Sequence, residues 1–146
     1  MIEFYQAYNP IFKREGISFR IVYINSEREN ITVEKDGSEG TITIYDGFIR
    51  HPEINRNGLR IAVCHEIGHL LAEREENAMY ASERDSDAYA IITCKRDLGM
   101  NTDQILDGIE SLYQWYRLYP QQKNYPSADE RKDNMIGTLR RINPSF

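Results

Sequence analysis

The stretch Cys64-His65-Glu66-Ile67-Gly68-His69-Leu70-Leu71 constrains this chain more than any other. It sets two imidazoles four positions apart with a glutamate directly after the first, the H-E-x-x-H pattern. On an α-helix, positions i and i+4 lie on one face a turn apart, so His65 and His69 can each aim a ring nitrogen at the same metal ion. Glu66 projects beside that face, where its carboxylate can take a proton from a water at the same centre. Leu59, Ala62, Val63, Ile67, Leu70 and Leu71 carry an apolar helical period through the motif, which predicts a buried helix.

Catalytic zinc takes three protein ligands and keeps a position open for water, so two histidines need a partner. The segment Ser82-Glu83-Arg84-Asp85-Ser86-Asp87-Ala88-Tyr89-Ala90 offers it. Glu83 and Asp87 are four apart and share a helical face, while Asp85 points elsewhere. One carboxylate of the pair can ligate zinc while the other accepts the free N–H of a ligating histidine. Spacing alone leaves open which does which. Glu83 follows His69 by fourteen residues, enough for the first helix to end and a second to return. Cys64 adjoins a proposed ligand, but adjacent helical positions face about 100° apart, so it reads as packing.

The chain of 146 residues, 40% hydrophobic and 28% charged, suits a single domain spanning residues 1–146. A net charge of -5 argues against nucleic acid or an anionic membrane as partner, since those surfaces need clustered Lys and Arg. No segment has the apolar length of a membrane span, and Met1 to Gln6 lacks the basic start and apolar run of a secretory signal. Two cysteines, Cys64 and Cys94, make no disulfide framework, so a reducing, cytoplasmic location is expected.

Periodicity predicts an α+β architecture. A helix over residues 2–15, restarted at Asn9-Pro10 and stopped by Gly16, precedes three short strands at Ile17–Ile24, Asn30–Glu34 and Thr41–Tyr45, forming one small antiparallel or mixed sheet. The motif helix begins between Ile54 and Leu59 and ends before a solvated turn at Glu73–Asn77. Helices follow at Ser82–Leu98, from Thr102 or Asp103 to Tyr119, and at Ala128–Ile142. His51, before Pro52, reads as a solvated loop residue, and the aromatic run Leu112–Tyr119 as core packing.

His65-Glu66-x-x-His69 with Glu83-x-x-x-Asp87 on a following helix resembles the gluzincin metallopeptidases. Thr43–Arg50, leading into the motif, and Tyr125-Pro126-Ser127-Ala128-Asp129-Glu130-Arg131 are similar to the corresponding elements of the HtpX and CAAX-prenyl-endopeptidase group, the latter to its His-Pro-Ser-x-x-x-Arg element. The likeness is to the soluble single-domain members, the minigluzincins. It implies a zincin-like fold, Glu83 as third zinc ligand and Asp87 as support for a histidine. The sequence departs from the group in a short gap between His69 and Glu83, in Ser86 where alanine is common, and in Tyr125 where a histidine precedes the proline. That histidine is thought to stabilise the oxyanion, a role a tyrosine hydroxyl can fill. Arg131 is expected to tie the last helix down. The intracellular ImmA and IrrE metallopeptidase-like group is a second likeness and selects the same ligands.

These readings converge on a zinc-dependent endopeptidase acting on a peptide or protein substrate, with Glu66 as general base and a substrate strand pairing along the edge of Thr41–Tyr45. The alternative is a non-catalytic or regulatory binding protein that keeps the zincin fold, of ImmA/IrrE-like or virion-associated type.

Overall fold

In the computed structural model, residues 6–37, 39–75, 83–119 and 126–145 are described. Among them the chain is α+β, with six helices and one three-stranded mixed sheet. Helix α1 spans Asn9–Glu15, and the strands are β1 (Ser18–Ile24), β2 (Ile31–Asp36) and β3 (Glu39–Tyr45). A single-turn helix α2 (Asp46–Ile49) leads to α3 (Arg56–Glu75), α4 (Glu83–Arg96), α5 (Thr102–Leu118) and α6 (Ala128–Ile142).

Pro10 occupies the first turn of α1, where its missing N–H costs nothing, and Gly16 ends the helix at φ 64°. Tyr8, not Asn9, is the N-cap residue, and it caps with no side-chain hydrogen bond. Gly99 takes φ 68° after α4, and Asn101 opens α5 by a reciprocal capping box with Gln104. Ser127 accepts from the Glu130 backbone N–H at the start of α6. Asp46-Gly47 starts α2 directly after β3. Gly47 is required there because a Cβ would stand 2.2 Å from the Glu27 carbonyl oxygen.

The strand order is β1-β3-β2, with β1 parallel and β2 antiparallel to β3. This corrects the expected substrate edge: Thr41–Tyr45 lies in the central strand, paired on both sides, and has no edge to offer. Its alternation instead places Ile42 and Ile44 in the core, each fully buried, at ~1.5–3 kcal/mol apiece. Gly40 lets the sheet approach α3, since a Cβ there would stand 3.0 Å from the Leu70 methyls.

Helix α3 is the central element, packed against the sheet, α4 and α5. It runs through Glu73, Arg74 and Glu75, which were expected in a turn. The helix continues there because Glu and Arg are good helix formers. Helices α3 and α5 cross at two glycines: a Cβ on Gly58 would meet Ser111 Oγ at 2.5 Å, and one on Gly108 would meet the Asn57 backbone at 2.8 Å. His51 is also corrected. Its side chain is 9% exposed, with Nε2 3.3 Å from Glu29 of the loop after β1 and the ring near Tyr119. No helix among the described residues is long and apolar enough to cross a membrane.

Candidate metal centre

Helix α3 presents His65 and His69 from successive turns, and α4 brings Glu83 against both. The two Nε2 atoms are 3.0 Å apart, and each stands 3.0 Å from a Glu83 carboxylate oxygen. The three residues offer ligand atoms that all lie within 4.8 Å of one another. Donors bound about 2.0–2.1 Å from one tetrahedral ion stand roughly 3.3 Å apart, so this spacing and this His-His-carboxylate set fit a metal.

Asp87 takes the supporting position. Its Oδ1 is 2.7 Å from His65 Nδ1, a close ion-pair contact that lies off the line of the ring N–H. The carboxylate is almost fully buried and receives the Arg131 guanidinium as a fork, Nε to Oδ2 and Nη2 to Oδ1, both at 2.8 Å. Arg131 Nη2 also lies 3.4 Å from Glu83, and its guanidinium carbon sits 3.9 Å from the centre of the Tyr116 ring. The chain of contacts from α6 to the candidate ligand group is therefore Arg131, Asp87, His65.

Two smaller residues complete the arrangement. Ser86, a departure from the gluzincin pattern, places Oγ 3.3 Å from His69 Nδ1, so the second histidine also has a partner for its outward nitrogen. Sequence reasoning passed over it, although its position three after Glu83 sets it on an adjoining line of α4. Gly68 lets α4 come this close: a Cβ there would stand 3.3 Å from the Tyr89 ring and 3.5 Å from Ser86 Cα. Cys64 faces away as expected, buried and free, with Sγ 3.5 Å from Cys94 Sγ.

Electrostatics follow from this geometry. Burial alone would lower the His65 pKa, but the Asp87 charge and contact, with the Glu83 contact, hold it up at about 10. Burial pushes Glu83 up, yet its contacts with both histidines overcome that and lower it well below the usual carboxylate range. Asp87 is likewise lowered, its burial outweighed by the Arg131 bonds and the His65 charge. Glu66 moves the other way: burial raises it, and the neighbouring histidines only partly offset the rise.

Glu66, His65, Glu83 and Arg131 line a cleft together with apolar residues of β2, α2, α3 and α5. Asp85 faces a separate groove beside Arg84 and Arg141. The aromatic run divides: Leu112 and Tyr116 are buried as expected, but both also line the cleft, as does Trp115. Tyr125 lies outside the described residues.

The chain matches no family model, no curated protein and no solved structure.

Proposed function

We propose that the chain is a zinc-dependent endopeptidase of gluzincin type, with His65, His69 and Glu83 as metal ligands and Glu66 as general base. The observation that carries this reading is the convergence of three donor atoms from α3 and α4 beside a cleft that Glu66 also lines. Zinc held there supplies Lewis-acid polarisation of a carbonyl and lowers the pKa of water to about 7.

The chain's own residues do the rest. A base works best when its pKa lies near the operating pH, and burial moves the Glu66 carboxylate in that direction. Glu66 takes the proton from the attacking water and returns it to the leaving amine. Asp87 and Ser86 orient the two imidazoles by their outward nitrogens. Strand β2 has β3 as its one neighbour in the sheet, and Asn30 and Ile31 lie at the cleft. An extended peptide can add along that edge, with its main chain supplying the hydrogen bonds.

The test has two parts. Elemental analysis of protein purified without added metal should give about one zinc per chain. Glu66→Gln should keep the zinc and the fold while hydrolysis of an unfolded protein falls ~10²–10⁴-fold. Full activity in that variant would refute the mechanism.

A further inference from the structure

Glu29 lies in the loop that joins β1 to β2, and its carboxylate meets two donors from elsewhere in the fold. One oxygen stands 3.3 Å from His51 Nε2, and the other accepts from the Tyr119 hydroxyl. His51 follows the last residue of α2 by two positions, and Tyr119 directly follows α5. A single side chain thus fastens three segments of the chain together. Each of them walls the cleft: Asn30 and Ile31 come immediately after Glu29, Phe48 belongs to α2, and Trp115 and Tyr116 belong to α5.

Both donors are held from behind. His51 Nδ1 accepts from the Glu53 backbone N–H at 3.1 Å, so the neutral ring carries its proton on Nε2, the atom beside Glu29. The His51 backbone is itself tied, its N–H to the Phe48 carbonyl and its carbonyl to the Ile54 N–H. The Tyr119 ring packs on Trp115 with centres 4.9 Å apart. The loop is fixed on its other flank as well, where the Gly47 N–H donates to the Ser26 carbonyl at 2.8 Å and the Tyr45 N–H to the Asn30 carbonyl at 3.2 Å. Those bonds hold the loop to β3 and α2, and Glu29 adds the tie to the end of α5.

Glu29 is 40% exposed. Ion pairs and hydrogen bonds so open to water do little for the stability of a whole domain. Their effect is local, because Ile31 opens β2 at the cleft and the start of that strand moves with the residue two before it.

We infer that Glu29 is a positioning residue for substrate: joined to His51 and Tyr119, it clasps the open edge of β2 at the separation from α5 that an added peptide strand requires. The inference rests on the zinc endopeptidase reading and adds to it the device that sets the binding edge. Without the clasp the edge samples other positions. Affinity then falls by the fraction of time the edge is competent, while bound substrate reacts as before.

Zinc-loaded wild type, Glu29→Ala, Glu29→Gln and Tyr119→Phe are compared by hydrolysis of fluorescein-labelled casein, by acetohydroxamate affinity and by hydrogen exchange over residues 25–33. Glu29→Ala should raise KM about 3–10-fold, the scale of two modest hydrogen bonds, with kcat and acetohydroxamate affinity unchanged. Amide exchange over the loop should quicken. Glu29→Gln can still accept from one donor, and Tyr119→Phe spares the His51 contact, so both should fall between wild type and Glu29→Ala. Unchanged KM and exchange, a loss confined to kcat, or a lower thermal midpoint with unchanged KM would overturn the clasp alone. Tyr119→Phe removes only a hydroxyl, so it decides the matter even if Glu29→Ala folds poorly. A wild type that carries zinc and cleaves no casein would overturn the endopeptidase reading and this inference with it.

Discussion

Replacing Arg131 with methionine isolates the contact that joins α6 to the helices carrying His65 and Glu83. The Arg131 side chain is 7% exposed and Asp87 2%, and the two share a bidentate pair at 2.8 Å. Arg131→Met keeps much of the aliphatic volume but leaves a carboxylate buried with His65 as its remaining cation. Breaking a buried pair from one side costs ~3–5 kcal/mol, and the contact with the Tyr116 ring is lost as well. For a chain of this size that corresponds to a fall in Tm of roughly 6–20 °C. Urea unfolding of metal-free protein at neutral pH should show a lower midpoint with an unchanged slope. The acid limb should change too. Because the folded Asp87 pKa is lowered, its contribution is present above the unfolded value of about 3.9 and is lost as pH falls through the folded value. Without Arg131 that loss should shrink. A stability change below ~1 kcal/mol would refute the claim that a desolvated pair holds α6 in place.

Other perturbations probe separate parts of the structure. Glu83→Ala should abolish zinc retention and remove the metal's stabilisation of the fold, whereas Asp85→Ala should leave both intact; elemental analysis and thermal unfolding read the two effects. In metal-free protein the raised His65 pKa of about 10 means a proton must leave on metal binding near neutral pH. Calorimetry of zinc binding should therefore depend on the buffer's ionisation enthalpy, and a buffer-independent heat would count against His65 as ligand. The same group predicts that His65's contribution to metal-free stability is complete below pH ~6.5 and is lost as pH rises through about 10. Gly108→Ala should destabilise by ~1–3 kcal/mol in denaturant despite alanine's better helix propensity, because the new methyl meets Asn57 backbone that cannot step aside.

The parts of the site that were legible in the sequence are those whose geometry is local. His65 and His69 share a face because four residues make about one turn. Glu83 and Asp87 are paired by the same rule. The errors share a different cause. His51 looked solvated because its partner Glu29 comes from a distant loop. Ser86 looked like a mere departure from a pattern because its meaning lies in an imidazole on another helix. Glu73–Glu75 were placed in a turn because the apolar period is lost there, and that loss reports burial and not backbone conformation; Glu76 and Asn77 of the same expected turn lie outside the described residues.

What the sequence by itself determined is the five longer helices, the shared helical face of the motif, and the chemical types able to meet at a metal. Backbone hydrogen bonding and side-chain periodicity act over one or two turns, so a linear pattern carries them. Only the tertiary structure decided that Glu83 reaches both histidines while Asp87 turns to His65 and Arg131. It alone decided that Thr41–Tyr45 is the central strand, leaving β2 to border the cleft. Those outcomes depend on how closely α3, α4 and α5 approach at Gly68, Gly58 and Gly108, and on which strands pair. Both are settled by excluded volume and burial between residues far apart in the chain.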